Sequence, residues 1–279
     1  MDWITEDSES DCRTSYPISR RIFDGRTAAC ESVVIADSPV FGRMLFLEGE
    51  LQSAAADEHI YHETLVHPVM AGARTGCRVL VVGGGEGATV REVLKWTPSK
   101  VDWVDIDGEL VSLCTEHLSW APGVLANPLV QFYAEDIRQV LPRLGSYDVI
   151  ILDLPDPDGD TGYLYSDEFW QDIRWHLAAG GRMATHCGPV RPFGNIGEGF
   201  QRVRHQFHED GLYTQMIPSF QSEWGFLIWS AIPPFASIRR DTILPEHLRV
   251  VDIAQLEQWS SPSLVWSTAL NAADMYTHH

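Results

Sequence analysis

The spacing of apolar residues changes character twice along this chain. Between residues 20 and 56 they come in short bursts: Arg21-Ile22-Phe23, Cys30-Glu31-Ser32-Val33-Val34-Ile35 and Arg43-Met44-Leu45-Phe46-Leu47. Asp24-Gly25, Asp37-Ser38-Pro39 and Glu48-Gly49 punctuate these bursts as turn residues, so the segment predicts a small antiparallel β unit. Residues 57–71 read as a helix, with Asp57 placed to cap it and Ile60, Leu65, Val66 and Val69 as apolar positions. From Cys77 onward strands and helices alternate. The predicted strands are 78–82, 100–106, 129–134, 147–154 and 181–186, and the predicted helices 89–96, 108–117, 137–141, 167–176 and 194–209. Repeated β–α units imply an α/β fold with an open, mostly parallel, doubly wound sheet. Two further strands, 213–218 and 224–230, are expected to close its edge. The expected division is residues 1–72, the β unit with the helix after it, and residues 73–279. Residues 1–16 read as an acidic, frayed end that Trp3 and Tyr16 can pin, and the stretch after Pro233 shows no regular period.

Composition narrows the function classes. The 279 residues are 44% hydrophobic and include ten Trp, enough for a substantial core. Twenty Lys and Arg against 39 Asp and Glu give a formal net charge of −19, which argues against nucleic-acid and anionic-lipid partners and favours attraction of cations. The five cysteines form no Cys-x-x-Cys pair, so neither a zinc site nor a disulfide framework is expected. The start, Met-Asp-Trp-Ile-Thr-Glu-Asp, lacks the apolar stretch of a signal peptide, and no apolar run reaches membrane-spanning length. A cytoplasmic enzyme is the expectation.

Residues 148–160, Asp-Val-Ile-Ile-Leu-Asp-Leu-Pro-Asp-Pro-Asp-Gly-Asp, run an apolar strand straight into Asp153, Asp156, Asp158 and Asp160. No Lys or Arg lies between Arg143 and Arg174, so the aspartates repel one another unless a cation sits among them. Asp153, at the mouth of the strand, suits an amine that must be oriented and deprotonated. Asp156, past the rigid Pro155, suits an anchor for further positive charge. Asp-Pro and Asp-Gly are also ordinary turn material, the simpler reading for Asp158 and Asp160.

Val79-Leu80-Val81-Val82-Gly83-Gly84-Gly85-Glu86-Gly87 is a strand leading into a glycine-rich turn, with Gly83 and Gly85 placed for close backbone approach to a ligand. The next strand ends Val104-Asp105-Ile106-Asp107, where Asp105 can meet ribose hydroxyls and Asp107 can cap the following helix. Asp136 either accepts from an adenine amino group or caps its own helix. No Lys-Ser/Thr follows the glycines, so this is not a phosphate loop. Glu86 in the turn disfavours a pyrophosphate, and hence NAD, and suits a sulfonium nucleoside carrying a free amine.

These residues resemble the polyamine aminopropyltransferases, the spermidine and spermine synthase family, over about Glu50 to Ser230. The likeness lies in Gln52-Ser53, Asp57-Glu58-His59-Ile60-Tyr61-His62-Glu63 and His67-Pro68. It continues through the glycine turn with Arg91-Glu92-Val93-Leu94-Lys95, and through Asp153-Leu154-Pro155-Asp156-Pro157. Glu86, Asp105-Ile106-Asp107, the Asp-Leu-x-Asp-Pro loop and Ile217-Pro218-Ser219-Phe220 before Trp224-Gly225 are most similar to thermospermine synthases. The resemblance implies a Rossmann-like sheet of the class I methyltransferase type. It also implies decarboxylated S-adenosylmethionine as co-substrate, no metal, a polyamine acceptor and a homodimer.

Residue by residue, the likeness implies ribose on Asp105, adenine near Asp136, and Gln52 with Glu86 along the sulfonium and aminopropyl group. Asp153 helped by Tyr61 acts as base, Asp156 anchors the amine chain, His62 lines the cleft, and Phe220 and Trp224 complete the acceptor site. Spermidine is the expected acceptor. Alternatives are a putrescine-using spermidine synthase, an S-adenosylmethionine-dependent methyltransferase and a non-catalytic polyamine or nucleoside sensor.

Overall fold

The computed structural model describes residues 2–7, 13–156, 162–190, 203, 206, 211–238 and 241–260. Strands β1 (Asp2–Asp7) and β2 (Arg13–Ile18) pair antiparallel, with Asp2 opposite Ile18. The end expected to fray is therefore a hairpin. Its anchor is the alternation on β2 that turns Tyr16 and Ile18 inward, Tyr16 packing edge-on to Phe41 and Phe46.

Strands β3 (Arg20–Gly25), β4 (Val33–Ser38), β5 (Gly42–Leu47) and β6 (Glu50–Ala54) form a four-stranded antiparallel sheet in chain order. Strand β6 was not expected. Glu48 and Gly49 both take positive φ (51° and 86°), which closes a two-residue hairpin with Leu47 opposite Glu50.

Helix α1 (Glu58–Ala71) leads to β7 (Arg78–Gly83), α2 (Ala88–Leu94), β8 (Lys100–Asp105), α3 (Gly108–His117), β9 (Val130–Ala134) and α4 (Ile137–Val140). Then come β10 (Tyr147–Asp153), α5 (Asp167–Trp175), β11 (Leu177–Pro189), β12 (Leu212–Ile217), β13 (Ser222–Ser230) and α6 (Ile253–Trp259). The helix expected over 194–209 lies outside the described residues except for positions 203 and 206, as do Asp158 and Asp160. Strand β11 is longer than expected, running from Leu177, opposite Tyr147, to Pro189, opposite Trp224.

The seven-stranded sheet has the order β12-β13-β11-β10-β7-β8-β9, and β7 to β11 are parallel. Both faces are covered, so its central strands are apolar throughout. Val79, Val81, Val149 and Ile151 pack with Val66, Val69, Val90 and Val93 of α1 and α2. Leu80, Val82, Ile150 and Leu152 pack on the other side with Ile137, Phe169, Trp170 and Ile173.

The irregular stretch after Pro233 contributes Phe235, Val251, Leu256 and Trp259 to the first of these cores. Glu63 of α1 fastens it by accepting the backbone N–H groups of Arg249 and Val250. Because β7 has β10 on one side and β8 on the other, the strand order reverses there and opens a crevice at the strands' C-terminal ends. Among the described residues no helix is long and apolar enough to cross a membrane.

Candidate active site

The glycine turn grips the end of β10. Gly83 lies opposite Asp153 in the ladder, and the Gly84 N–H donates to the Asp153 carbonyl at 2.8 Å. Gly83 and Gly84 have φ of +82° and +68°; a Cβ on the first would strike the Asp153 carbonyl, and on the second would sit 2.7 Å from Asp153 Oδ2. Only glycine allows that approach. It leaves the Asp153 carboxylate between two donors, Tyr61 Oη to Oδ1 at 2.9 Å and Thr89 Oγ1 to Oδ2 at 2.5 Å. Burial, reinforced by Asp153, holds the Tyr61 phenol well above its usual range, so it stays a donor. Thr89, in the first turn of α2, was not singled out from the sequence; its place beside the glycine turn was the available signal.

Glu86 proves to be a buried partner rather than a free anion. Oε1 faces His62 Nε2 at 2.8 Å, and Oε2 accepts from Ser53 Oγ and Trp120 Nε1 at 2.5 and 2.9 Å. His62, expected on the cleft surface, is 1% exposed and sits behind Glu86. Its Nδ1 meets the Glu58 carbonyl at 2.6 Å and the Glu58 carboxylate at 3.1 Å. Oxygen acceptors on both sides require a proton on both ring nitrogens. Burial works against that charge, but Glu86 and Glu58 outweigh it and hold the His62 pKa well above the ordinary value. Glu58 in turn pairs with Arg91 at 2.9 Å. Glu86 and Glu58 thus share the His62 cation, and Arg91 bridges Glu58 and Glu92, so Glu86 is a paired carboxylate and loses the pyrophosphate-repelling role that the sequence suggested for it.

Asp105 lies under the turn, where a Cβ on Gly85 would come within 3.1 Å of its Oδ2, and it accepts from the Asp107 N–H at 2.9 Å. Burial, with Asp107 and Asp153 nearby, pushes Asp105 up to about 6 against that hydrogen bond. Asp107 caps α3 through the Leu110 N–H. Asp136 caps α4 through the Arg138 N–H and pairs with the Arg138 guanidinium at 2.5 Å. Gln52, on β6, turns its amide toward the Glu50 carbonyl at 3.4 Å.

Beyond Asp153 an aromatic wall lines the crevice. Tyr61 and Phe220 are 6.2 Å apart between centroids, Phe220 and Trp224 4.7 Å, and Trp224 stacks on His186 at 6.2 Å. His186 Nε2 approaches the Leu154 carbonyl at 2.6 Å, and Asp156 Oδ1 lies 3.6 Å from Nδ1. The sequence marks His186 only as the end of a strand, although the C-terminal end of a strand beside β10 is where a ligand is expected.

The turn bearing Phe220 is clamped from two sides. The Ser219 N–H donates to Asp57 Oδ2 at 2.6 Å, and the Ser219 carbonyl accepts from Tyr16 Oη at 3.0 Å. Asp57 therefore occupies the position before α1 but makes no side-chain cap there.

Residues 2–54 match the spermidine synthase tetramerisation domain, and residues 58–236 match the spermine/spermidine synthase domain. The chain is 39% identical to polyamine aminopropyltransferase 2 of Pseudomonas aeruginosa over 81% of its own length and 66% of that protein's, just under two thirds. Thermospermine synthase ACAULIS5 of Arabidopsis thaliana is 32% identical over 82% of this chain and 69% of its own. A spermidine synthase crystallised with the transition-state analogue AdoDATO superposes with a TM-score of 0.87 at 22% identity, covering 97% of this chain and 95% of the other, a likeness of fold. With both of its domains matched and relatives of this similarity, the chain belongs to the spermine/spermidine synthase family.

Proposed function

We propose that this protein transfers the aminopropyl group of decarboxylated S-adenosylmethionine to an amine of spermidine, releasing methylthioadenosine. The supporting observation is Asp153, held between Tyr61 and Thr89 at the head of the crevice. In this reading the donor's ribose sits on Asp105 and its adenine near Asp136, while Gly83 and Gly85 let the backbone approach it. Gln52 and Glu86 flank the sulfonium and aminopropyl group. The acceptor nitrogen gives its proton to Asp153 and attacks the CH2 next to sulfur. The new C–N bond forms as the C–S bond breaks and its electron pair returns to sulfur. A sulfonium is already a good leaving group, so positioning and electrostatics supply most of the rate.

Asp156, Phe220 and Trp224 bind the rest of the acceptor, and His62 acts from behind by holding Glu86. The similarity to a thermospermine synthase, together with Glu86 in the glycine turn, favours a triamine acceptor. Residues 1–72, the β unit with its entry helix, lend Gln52, Tyr61 and His62 to the site, residues 73–279 form the nucleoside-binding catalytic unit, and the protein works as a homodimer in the cytoplasm. Light scattering measures the assembly.

The deciding experiment offers the enzyme decarboxylated S-adenosylmethionine with putrescine, spermidine or agmatine in separate reactions, and identifies products by mass spectrometry. A tetraamine from spermidine supports the triamine reading. Product from putrescine alone converts it to a spermidine synthase. No methylthioadenosine with any amine refutes aminopropyl transfer.

A further inference from the structure

We infer that Thr27, in the loop between β3 and β4, is a positioning residue for the donor's ribose: it acts on Asp105 through Asp107 and makes the N-terminal β unit part of the nucleoside site. This rests on the reading that Asp105 takes the ribose hydroxyls.

The loop folds back on itself at Thr27. Its N–H donates to the Cys30 carbonyl at 2.9 Å, and the Cys30 N–H donates to Thr27 Oγ1 at 3.2 Å. With a lone pair so occupied, the hydroxyl directs its own hydrogen out of the loop, to Oδ2 of Asp107. A carboxylate oxygen accepts, which fixes the direction of that bond. Asp107 is buried, at 2% exposure, and its Oδ1 accepts the Leu110 N–H at 2.9 Å. One oxygen is therefore held by α3 and the other by the β unit. The Asp107 N–H in turn donates to Asp105 Oδ1 at 2.9 Å, and Asp105 Oδ2 faces the glycine turn at Gly85.

Two carboxylates this close in sequence repel. The Thr27 hydroxyl keeps the Asp107 charge turned toward the β unit and away from Asp105. Without it, a buried oxygen of Asp107 loses its donor, the side chain turns to find another, and the N–H that aims Asp105 moves with it. Helix α3 has other fastenings to the same unit. Val33, Ile35 and Leu45 pack with Leu110, Cys114 and Leu118, and the Arg43 guanidinium donates to the His117 carbonyl at the far end of the helix. These hold the helix when Thr27 is changed, so the loss falls on the aim of Asp105.

The test is calorimetric binding of methylthioadenosine and of its 2′,3′-dideoxy analogue to wild type, Thr27→Val and Thr27→Ser. Val keeps the shape and removes the hydroxyl; Ser keeps the hydroxyl. The methylthioadenosine Kd is expected to rise about 5- to 20-fold in Thr27→Val and to return to within about twofold of wild type in Thr27→Ser. The dideoxy analogue has no ribose hydroxyls for Asp105, so its Kd is expected to stay within about twofold across all three proteins. Equal weakening of both ligands in Thr27→Val would show that Thr27 only supports the fold and would overturn the inference, as would an unchanged methylthioadenosine Kd.

If Thr27→Val does not fold, hydrogen exchange of the wild type gives the same decision. Saturating methylthioadenosine must slow exchange of the Thr27 and Cys30 amides more than the saturating dideoxy analogue does, and equal protection overturns the inference. Wild type that binds the two ligands alike removes Asp105 from the ribose and overturns that reading and this inference together. Wild type that prefers methylthioadenosine over the dideoxy analogue, with no such preference lost in Thr27→Val, overturns this inference alone. Failure of aminopropyl transfer is read separately, from the absence of methylthioadenosine release with any amine.

Discussion

The Tyr61 hydroxyl donates to Oδ1 of Asp153 at 2.9 Å, tying the first turn of α1 to the last residue of β10. Thr89 occupies the other carboxylate oxygen, so the base is oriented before any amine arrives. Removing one donor to a carboxylate costs about 1.5–3 kcal/mol, so Tyr61→Phe is expected to lower kcat about 10- to 100-fold. Asp153→Asn removes the proton acceptor and is expected to cost about 10²- to 10⁴-fold. Both variants should still bind methylthioadenosine in calorimetry. Unchanged turnover in Asp153→Asn removes Asp153 as the base.

His62 holds Glu58 and Glu86 together across α1 and the glycine turn. His62→Ala leaves two buried carboxylates facing a gap, and its expected cost is about 3–5 kcal/mol in denaturant titrations. The sign of the pH effect follows from the raised His62 pKa, whose stabilisation is complete below the ordinary histidine value and fades as pH rises through the folded-state value. Wild-type melting temperature should therefore fall on the alkaline side, and the variant should lack that fall.

Asp105 gives an opposite pair of effects. Its pKa is about 6 in the fold against 3.8 for an ordinary aspartate, so the native protein binds the extra proton between those values. Stability from this group declines as pH rises through that window, and Asp105→Asn should melt higher than wild type at pH 7. Ribose hydroxyls need the ionised carboxylate. Methylthioadenosine affinity is thus expected to fall roughly tenfold per pH unit below about 6, and Asp105→Asn should bind it weakly at every pH. A flat wild-type affinity between pH 5 and pH 7 would remove Asp105 from the ribose site.

Gly84→Ala directs a methyl group at Asp153 Oδ2 and displaces the base from Thr89. Its kcat should drop about 100-fold, because displacements near 1 Å at a reacting group cost that much. Gly123→Ala is the control: its φ of +74° is equally strained, but nothing lies within 4 Å of the added methyl. It should lose about 1 kcal/mol of stability and keep its turnover. Equal activity in the two variants would separate the glycine turn from catalysis.

What was legible in the sequence was local. Gly83 to Gly87, Asp105 and Asp153 each end or follow a strand of the sheet, so strand periodicity alone places them at one crevice. Tyr61 was legible only through the family resemblance, since nothing in the local pattern of α1 singles it out. The hidden parts depend on distant partners. Glu86 reads as a lone anion until His62 folds against it. The β1–β2 hairpin is masked by its acidic composition, and β6 by a two-residue turn. The irregular stretch after Pro233 gives no signal because its order comes from Glu63, 186 residues before Arg249.

Tyr16 and Ser219 are separated by 203 residues, yet their hydrogen bond holds the turn that carries Phe220. A chain emerging from the ribosome presents the hairpin, the glycine turn and Asp153 long before Ser219 exists. The acceptor wall is consequently a late event of folding, since contacts of long sequence separation close last. A nascent or truncated chain that ends before Ser219 holds the base but has no finished pocket. Amine recognition thus begins only when β2 and the turn before β13 have met.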